Sequence, residues 1–83
     1  MNTDILKQLF IELFEVNHIM LDLINKFENT DYGDEILVGF YMENITEEFN
    51  KEDLLKHREE TSYSCLGSLN NEDLEEFLDD LFR

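Results

Sequence analysis

The sequence predicts an α+β domain, with a long N-terminal helix, a small two-strand antiparallel sheet and two further helices. Three observations support this prediction. Residues 3–27 carry apolar side chains at helical spacing without Gly or Pro, residues 36–42 and 61–67 have strand-like compositions, and Asn70 precedes another helical pattern. The main alternative is a small all-α bundle, because a short apolar run can belong to a buried helix as well as to a strand. Either fold would form a single acidic domain over residues 1–83.

The first predicted helix is apolar over more of its surface than a solvent-exposed helix needs. Between Ile5 and Phe27, 14 of 23 residues are apolar, which widens the stripe beyond the roughly 100° that faces a core. A chain of this length has a small core, so we expect a second copy to cover the excess in a two-fold dimer, the commonest oligomer. The predicted homodimer interface consists of Leu6, Phe10, Leu13, Phe14 and Met20.

The middle of the chain predicts a turn followed by the first strand. "ENTDYGDE" at 28–35 contains residues typical of a turn, and its Asn, its Asp and Gly33 are expected to supply the tolerance of positive φ that the turn needs. "ILVGFYM" at 36–42 is a continuous apolar run with an internal glycine, which favours a buried strand, although a helix continuing through it stays open. "TSYSCLGSL" at 61–69 predicts a second strand that could pair with the first.

Helices are expected before and after the second strand. Asn50 is a candidate N-cap, with Glu52 and Asp53 in the first turn, where the helix dipole favours acids. Asn70 is the candidate N-cap of the last helix, whose second and third positions are acidic. The apolar stripe of that last helix consists of Leu74, Phe77, Leu78, Leu81 and Phe82.

The charge of the chain is extreme and unevenly distributed. There are 21 acids and 6 bases, a formal net charge of −15, and only 4 of the acids lie in the first 27 residues. Such a protein should avoid naked nucleic acid and anionic lipid, and its electrostatic field favours basic partners. We therefore expect no direct nucleic-acid binding and no membrane association.

The last helix breaks the usual rules of helix stability. Its acids fall four residues apart three times, which destabilises a helix by roughly 0.2–0.5 kcal/mol per pair, and no lysine offsets them. Carboxylates at this spacing are separated by distances similar to those between phosphates of one DNA strand. The pattern predicts a DNA mimic that occupies the DNA-binding surface of a basic protein, although a solvated face is the simpler interpretation of most charge runs. The predicted partner-binding carboxylates are Glu72, Asp73, Glu75, Glu76, Asp79, Asp80, Glu43, Glu47, Glu48, Glu52, Asp53, Glu59, Glu60, Asp31, Asp34 and Glu35.

In size, net charge and aromatic-rich patterning, the chain resembles the small acidic DNA-mimic proteins encoded by phages, such as the Arn-like anti-restriction proteins and the uracil-glycosylase inhibitors. The resemblance is one of type and rests on no diagnostic motif. It implies an inhibitor that blocks DNA access to a restriction nuclease or a nucleoid-associated protein. The alternative function is an immunity-type or adaptor protein that binds one basic partner without imitating DNA, through a mixed acidic and aromatic surface to which Tyr41 or Tyr63 would contribute.

The remaining polar residues predict neither an enzyme nor a metal or cofactor site. His18, His57 and Cys65 have no zinc-type spacing, and no frame of "ENTDYGDEILVGF" fits a calcium-binding EF-hand loop. His57 is expected to be exposed. A single cysteine allows no intramolecular disulfide, and neither a signal peptide nor a membrane span is indicated. The predicted location is the cytoplasm, that of the host cell if the protein is phage-encoded.

Overall fold

The chain folds as five α-helices with no β-strand, as described for residues 1–83 in a computed structural model. The predicted α+β fold is therefore wrong, and the alternative, a small all-α bundle, is confirmed. A short 3-10 helix, Cys65–Ser68, precedes the last α-helix. The α-helices are α1 Thr3–Phe14, α2 His18–Glu28, α3 Gly33–Glu48, α4 Lys51–Glu60 and α5 Asn71–Leu81.

The single long helix predicted over residues 3–27 is two helices. Glu15 ends α1 in the left-handed conformation, with φ 49° and ψ 51°, and the N–H groups of Glu15 and Val16 both donate to the carbonyl of Ile11. Asn17 then caps α2, because its side chain accepts the N–H of Met20 at 2.9 Å. A left-handed helix end is normally signalled by Gly or Asn, and Glu15 carries no such signal.

The predicted strand at residues 36–42 lies inside α3. Its buried residues recur every four positions, at Gly33, Leu37, Tyr41 and Ile45, which is the spacing of one helix face. Apolar side chains also occupy the exposed face, since Ile36 is 57% exposed and Phe40 is 47% exposed. Because apolar residues lie on both faces of this part of α3, the sequence shows a continuous apolar run without a helical period. Such a run is also typical of a strand that is buried on both faces.

The turn before α3 uses glycine differently from the prediction. Tyr32, not Gly33, has the positive φ, at 64°. A Cβ at Gly33 would lie 1.9 Å from the carbonyl oxygen of Phe27, so only glycine allows the end of α2 and the start of α3 to come this close.

The second predicted strand, at residues 61–67, forms a turn and the start of the 3-10 helix. Ser64 accepts the N–H of Leu66 at 3.3 Å, and Ser68 donates to the carbonyl of Cys65 at 2.7 Å. Short hydroxyl side chains offer the backbone such local hydrogen bonds in place of a sheet ladder.

The starts of α4 and α5 confirm the sequence prediction. Asn50 accepts the N–H of Asp53 at 2.8 Å and Asp53 accepts the N–H of Asn50 at 2.9 Å, a reciprocal capping box. Asn70 caps α5 by accepting the N–H of Asp73 at 2.8 Å. Local hydrogen-bonding chemistry decides both boundaries, so the sequence alone is sufficient to find them.

One hydrophobic core joins all five helices. The helix α3 packs against both α1 and α2, and the 3-10 helix packs against α1 and α4. Phe10 of α1 contacts Tyr41 of α3, with ring centroids 4.9 Å apart. The core consists of Leu6, Leu9, Phe10, Ile24, Leu37, Tyr41, Ile45, Leu54, Leu66, Leu74, Phe77, Leu78 and Leu81.

Candidate functional site

The acids of α5 form an exposed ridge over a buried apolar stripe. Leu74, Phe77, Leu78 and Leu81 are at most 5% exposed, which turns the opposite, acidic face of the helix to solvent. Asp80 is half-buried, and the other acids of this ridge are exposed. The exposed members of the ridge are Glu72, Asp73, Glu75, Glu76 and Asp79.

Two basic residues contact the end of this ridge. Lys51, at the start of α4, lies 3.5 Å from Asp79, and Arg83 lies 3.5 Å from Asp80. The first contact brings the acidic first turn of α4 next to the last turn of α5. The remaining acids of α5 have no basic partner.

A second acidic region surrounds a groove where α1 ends and α4 passes the end of α3. Glu48, Asp53 and Glu60 line a cavity of about 410 Å³ together with Leu13, Phe49, His57 and Lys56, and Lys56 lies 3.9 Å from Glu60. An adjoining cavity of about 470 Å³ shares Leu13 and Phe49 and adds Glu15 and Tyr63 to the rim. We call this surface the acidic–aromatic groove, and we define it by Leu13, Glu15, Glu48, Phe49, Asp53, Glu60 and Tyr63.

Tyr63 gives the groove an aromatic residue that the fold itself does not use. Its side chain is 83% exposed, more than any other large apolar or aromatic side chain of the protein. Tyr41, the other tyrosine predicted to contact a partner, is 2% exposed and belongs to the core. Binding through Tyr41 is therefore excluded in this conformation, whereas Tyr63 is accessible.

The other predicted carboxylates are exposed but lie elsewhere. Asp34 and Glu35 occupy the first turn of α3, where the helix dipole favours them, and Asp31 lies in the turn before it. Asp34 and Glu35 also line a cavity of about 550 Å³ with Tyr41. The Tyr41 hydroxyl finds no hydrogen-bond partner in the protein, and its burial, with the nearby charge of Glu28, raises its pKa. The remaining exposed carboxylates, on α3 and α4, are Glu43, Glu47, Glu52 and Glu59.

Beneath the groove, one carboxylate holds three segments together. Glu12 of α1 accepts a hydrogen bond from His57 Nε2 at 3.0 Å and from the N–H of Cys65 at 3.0 Å. Because a carboxylate can only accept, His57 Nε2 carries a proton and donates it to Glu12, and Nδ1 lies 3.5 Å from the Thr61 hydroxyl. Burial raises the pKa of Glu12, but these hydrogen bonds outweigh burial, and the pKa lies below its usual range.

Sequence reasoning missed this arrangement. His57 was expected to be exposed, and it is instead half-buried against Glu12. Arg58 of α4 donates to the carbonyls of Leu66 and Leu69 at 3.2 and 3.5 Å, which ties α4 to the 3-10 helix and the segment after it. Glu12 lies 45 and 53 residues from its two partners, a separation that no local pattern reveals.

The thiol of Cys65 has a raised pKa. Burial, together with the charge of Glu12, raises its pKa to about 12. With this pKa the thiol is protonated at neutral pH. Since the thiolate is the reactive and metal-binding form, Cys65 is unreactive there. No group of three or more His, Cys, Asp or Glu side chains lies close enough together to hold a metal ion.

The residues of the predicted homodimer interface fall into three environments. Leu6 and Phe10 are 0% and 7% exposed, so they belong to the core of the single chain. Leu13 and Phe14 are half-buried against that core. Only Met20, which is 51% exposed, lies on the surface.

Comparison with known proteins finds no match to this chain among protein-family models, curated proteins or solved structures. The resemblance to phage DNA mimics therefore stays a prediction. None of the helices is both long enough and apolar enough to pass through a lipid bilayer.

Proposed function

We propose that this protein is an immunity-type or adaptor protein that binds one basic protein partner without imitating DNA. The observation that carries the proposal is the acidic–aromatic groove, where carboxylates surround Leu13 and Phe49 and where Tyr63 is 83% exposed. A polyanion such as DNA offers no apolar floor, whereas protein interfaces combine aromatic contacts with a polar rim.

The chemistry of the groove suits lysine and arginine side chains. Their charged ends can pair with Glu15 and Glu48 at the rim, while their aliphatic stems lie along Leu13 and Phe49. Tyr63 can stack on a guanidinium group, an interaction of roughly 0.5–2 kcal/mol. The net charge of −15 would accelerate encounter with such a partner.

The ridge of α5 supports DNA mimicry as a second candidate function. Five of its carboxylates are exposed, and the contact between Lys51 and Asp79 brings the acidic start of α4 beside it. In this case the partner would be a restriction nuclease or a nucleoid-associated protein, and binding would decline step by step as the ridge is neutralised.

A capture experiment separates the two functions. Wild-type protein, Tyr63→Ala and a ridge variant with Glu72→Gln and Glu75→Gln are immobilised, exposed to bacterial lysate, and eluted first with excess duplex DNA and then with salt. We expect one basic protein to resist DNA, to be lost from Tyr63→Ala and to stay bound to the ridge variant. Elution by DNA, together with weaker capture by the ridge variant than by the wild-type protein, would establish mimicry instead. Retention of no specific protein by any of the three would overturn both functions.

A further inference from the structure

The helix α2 presents an apolar face that the fold leaves uncovered. Of its apolar residues, only Ile24 is buried. Ile19, Leu23 and Phe27 follow one another at intervals of four residues and are 75%, 57% and 41% exposed. Met20, one turn before Leu23 and Ile24, is 51% exposed. Residues three and four apart are neighbours on a helix, so these four side chains form one continuous surface, which we call the α2 face.

This face differs from the rest of the surface in charge. The helix α2 carries two acids, Asp22 and Glu28, and one lysine, Lys26, while α5 carries six acids and no base before its end. A basic partner would gain most at the acidic surfaces, not here. A second copy of this chain, itself strongly negative, can approach closely only where acids are few.

The exposed area is adequate for an interface between two copies. Side chains of this size at these exposures contribute roughly 100 Å² each, so the α2 face offers on the order of 400 Å². Ile36 and Phe40 are also exposed, on the helix α3 that packs against α2, and they offer on the order of 200 Å² more. A standard interface buries about 800 Å² per partner, of which about 65% is apolar in homodimers, or roughly 520 Å².

We propose that the α2 face is the contact surface of a homodimer, in which α2 of one copy packs against α2 of the other about a two-fold axis. Asp22 and Lys26 flank the face with opposite charges, so a two-fold arrangement can place each near the opposite charge of the partner copy. The α2 face therefore shares only Met20 with the homodimer interface that the sequence predicts.

Salt distinguishes this contact from binding of a basic partner. Self-association brings two chains of charge −15 together, and salt screens their repulsion. We therefore expect the dimer to become tighter between ~0.05 M and ~0.5 M NaCl, whereas an electrostatic complex with a basic protein weakens over the same range.

Analytical ultracentrifugation of the purified chain tests the proposal. We expect a concentration-dependent monomer–dimer equilibrium whose dissociation constant rises by at least about tenfold in Leu23→Lys, since a charge then replaces the centre of the apolar face. Leu55→Lys on α4, where Leu55 is 37% exposed, is the matched control and should leave the equilibrium unchanged. Circular dichroism of both variants establishes that they fold.

A chain that stays monomeric at all accessible concentrations and at high salt would overturn the proposal. So would a dimer that Leu23→Lys and Leu55→Lys weaken equally. A monomeric chain that captures a basic protein only while Leu23 is intact would assign the face to that partner instead. The readout uses the protein alone, so it stands independently of the acidic–aromatic groove.

Discussion

The helices α2 and α5 have the same length, eleven residues, and both are amphipathic, yet the fold treats them in opposite ways. The helix α5 buries Leu74, Phe77, Leu78 and Leu81 and turns an acidic face to solvent. The helix α2 buries only Ile24 and leaves Ile19, Met20, Leu23 and Phe27 exposed, beside few charges. Amphipathicity thus identifies the apolar side of a helix but not what covers it.

The difference follows from what each helix packs against. The helix α5 packs its apolar stripe into the core, so most of its acids face solvent. The helix α2 packs mainly against α3, and α3 also packs against α1. An apolar helix face that the chain itself does not cover is typical of a site that contacts another molecule.

The largest expected effect is the contrast between equivalent leucines of the two helices. Leu78 of α5 is 1% exposed and Leu23 of α2 is 57% exposed. We expect Leu78→Ala to lower the free energy of unfolding by about 3 kcal/mol, because it leaves a cavity. Leu23→Ala should change it by no more than about 0.5 kcal/mol in dilute solution. Urea unfolding followed by circular dichroism measures both. Comparable losses of unfolding free energy in the two variants would contradict the exposed position of Leu23.

A second prediction concerns Glu12, whose side chain is only 9% exposed, in contrast to the exposed acids of α5. Glu12→Gln should lower the free energy of unfolding by about 2 kcal/mol at neutral pH, because hydrogen bonds to a charged acceptor are weakened or lost. The folded-state pKa of Glu12 lies below its usual value, so its contribution is present above about pH 4.3 and is lost as pH falls through the folded pKa.

Unfolding of wild type and Glu12→Gln across pH 3–7 measures this effect. The difference between the two proteins should shrink toward the acid end of the range. Glu59→Gln, an exposed change of the same charge on α4, is the control and should show no such pH-dependent difference. A constant difference for Glu12→Gln would indicate that the carboxylate is not ionised in its hydrogen bonds.

The smallest expected effect concerns the acids of α5 themselves. Glu76 lies four residues from both Glu72 and Asp80, so Glu76→Gln removes two repulsive pairs and should raise the free energy of unfolding by about 0.5 kcal/mol. Glu35→Gln, which removes an acid from the first turn of α3, should lower it by a similar amount of about 0.5 kcal/mol. Thermal unfolding at low and high salt compares them, and both differences should fade as salt rises. Equal signs would show that net charge outweighs local position.

The sequence was sufficient where local chemistry decides the structure and insufficient where distant contacts do. Asn50 and Asn70 were correctly predicted as N-caps because their hydrogen bonds reach only three residues along the chain. The strand at 36–42 was wrong because exposed Ile36 and Phe40 masked the helical period. The break at Glu15 has no usual residue signal.

The acidic surface was predictable as a composition but not as a shape. Exposure of nearly all the predicted carboxylates follows from their positions opposite buried stripes. Their assembly around Leu13 and Phe49 depends on how α1, α3 and α4 meet, and no spacing along the chain encodes that meeting.

The long-range hydrogen bond of Glu12 affects when the chain can fold during its synthesis. Its hydrogen bond to Cys65 spans 53 residues, and α1 packs against the 3-10 helix as well as against α3. Contacts of high sequence separation form only after the chain between them exists, so Glu12 has no backbone donor until Cys65 is synthesised. We therefore expect α1 to reach its final packing only after residue 65 has emerged from the ribosome, with part of its apolar surface accessible to chaperones until then.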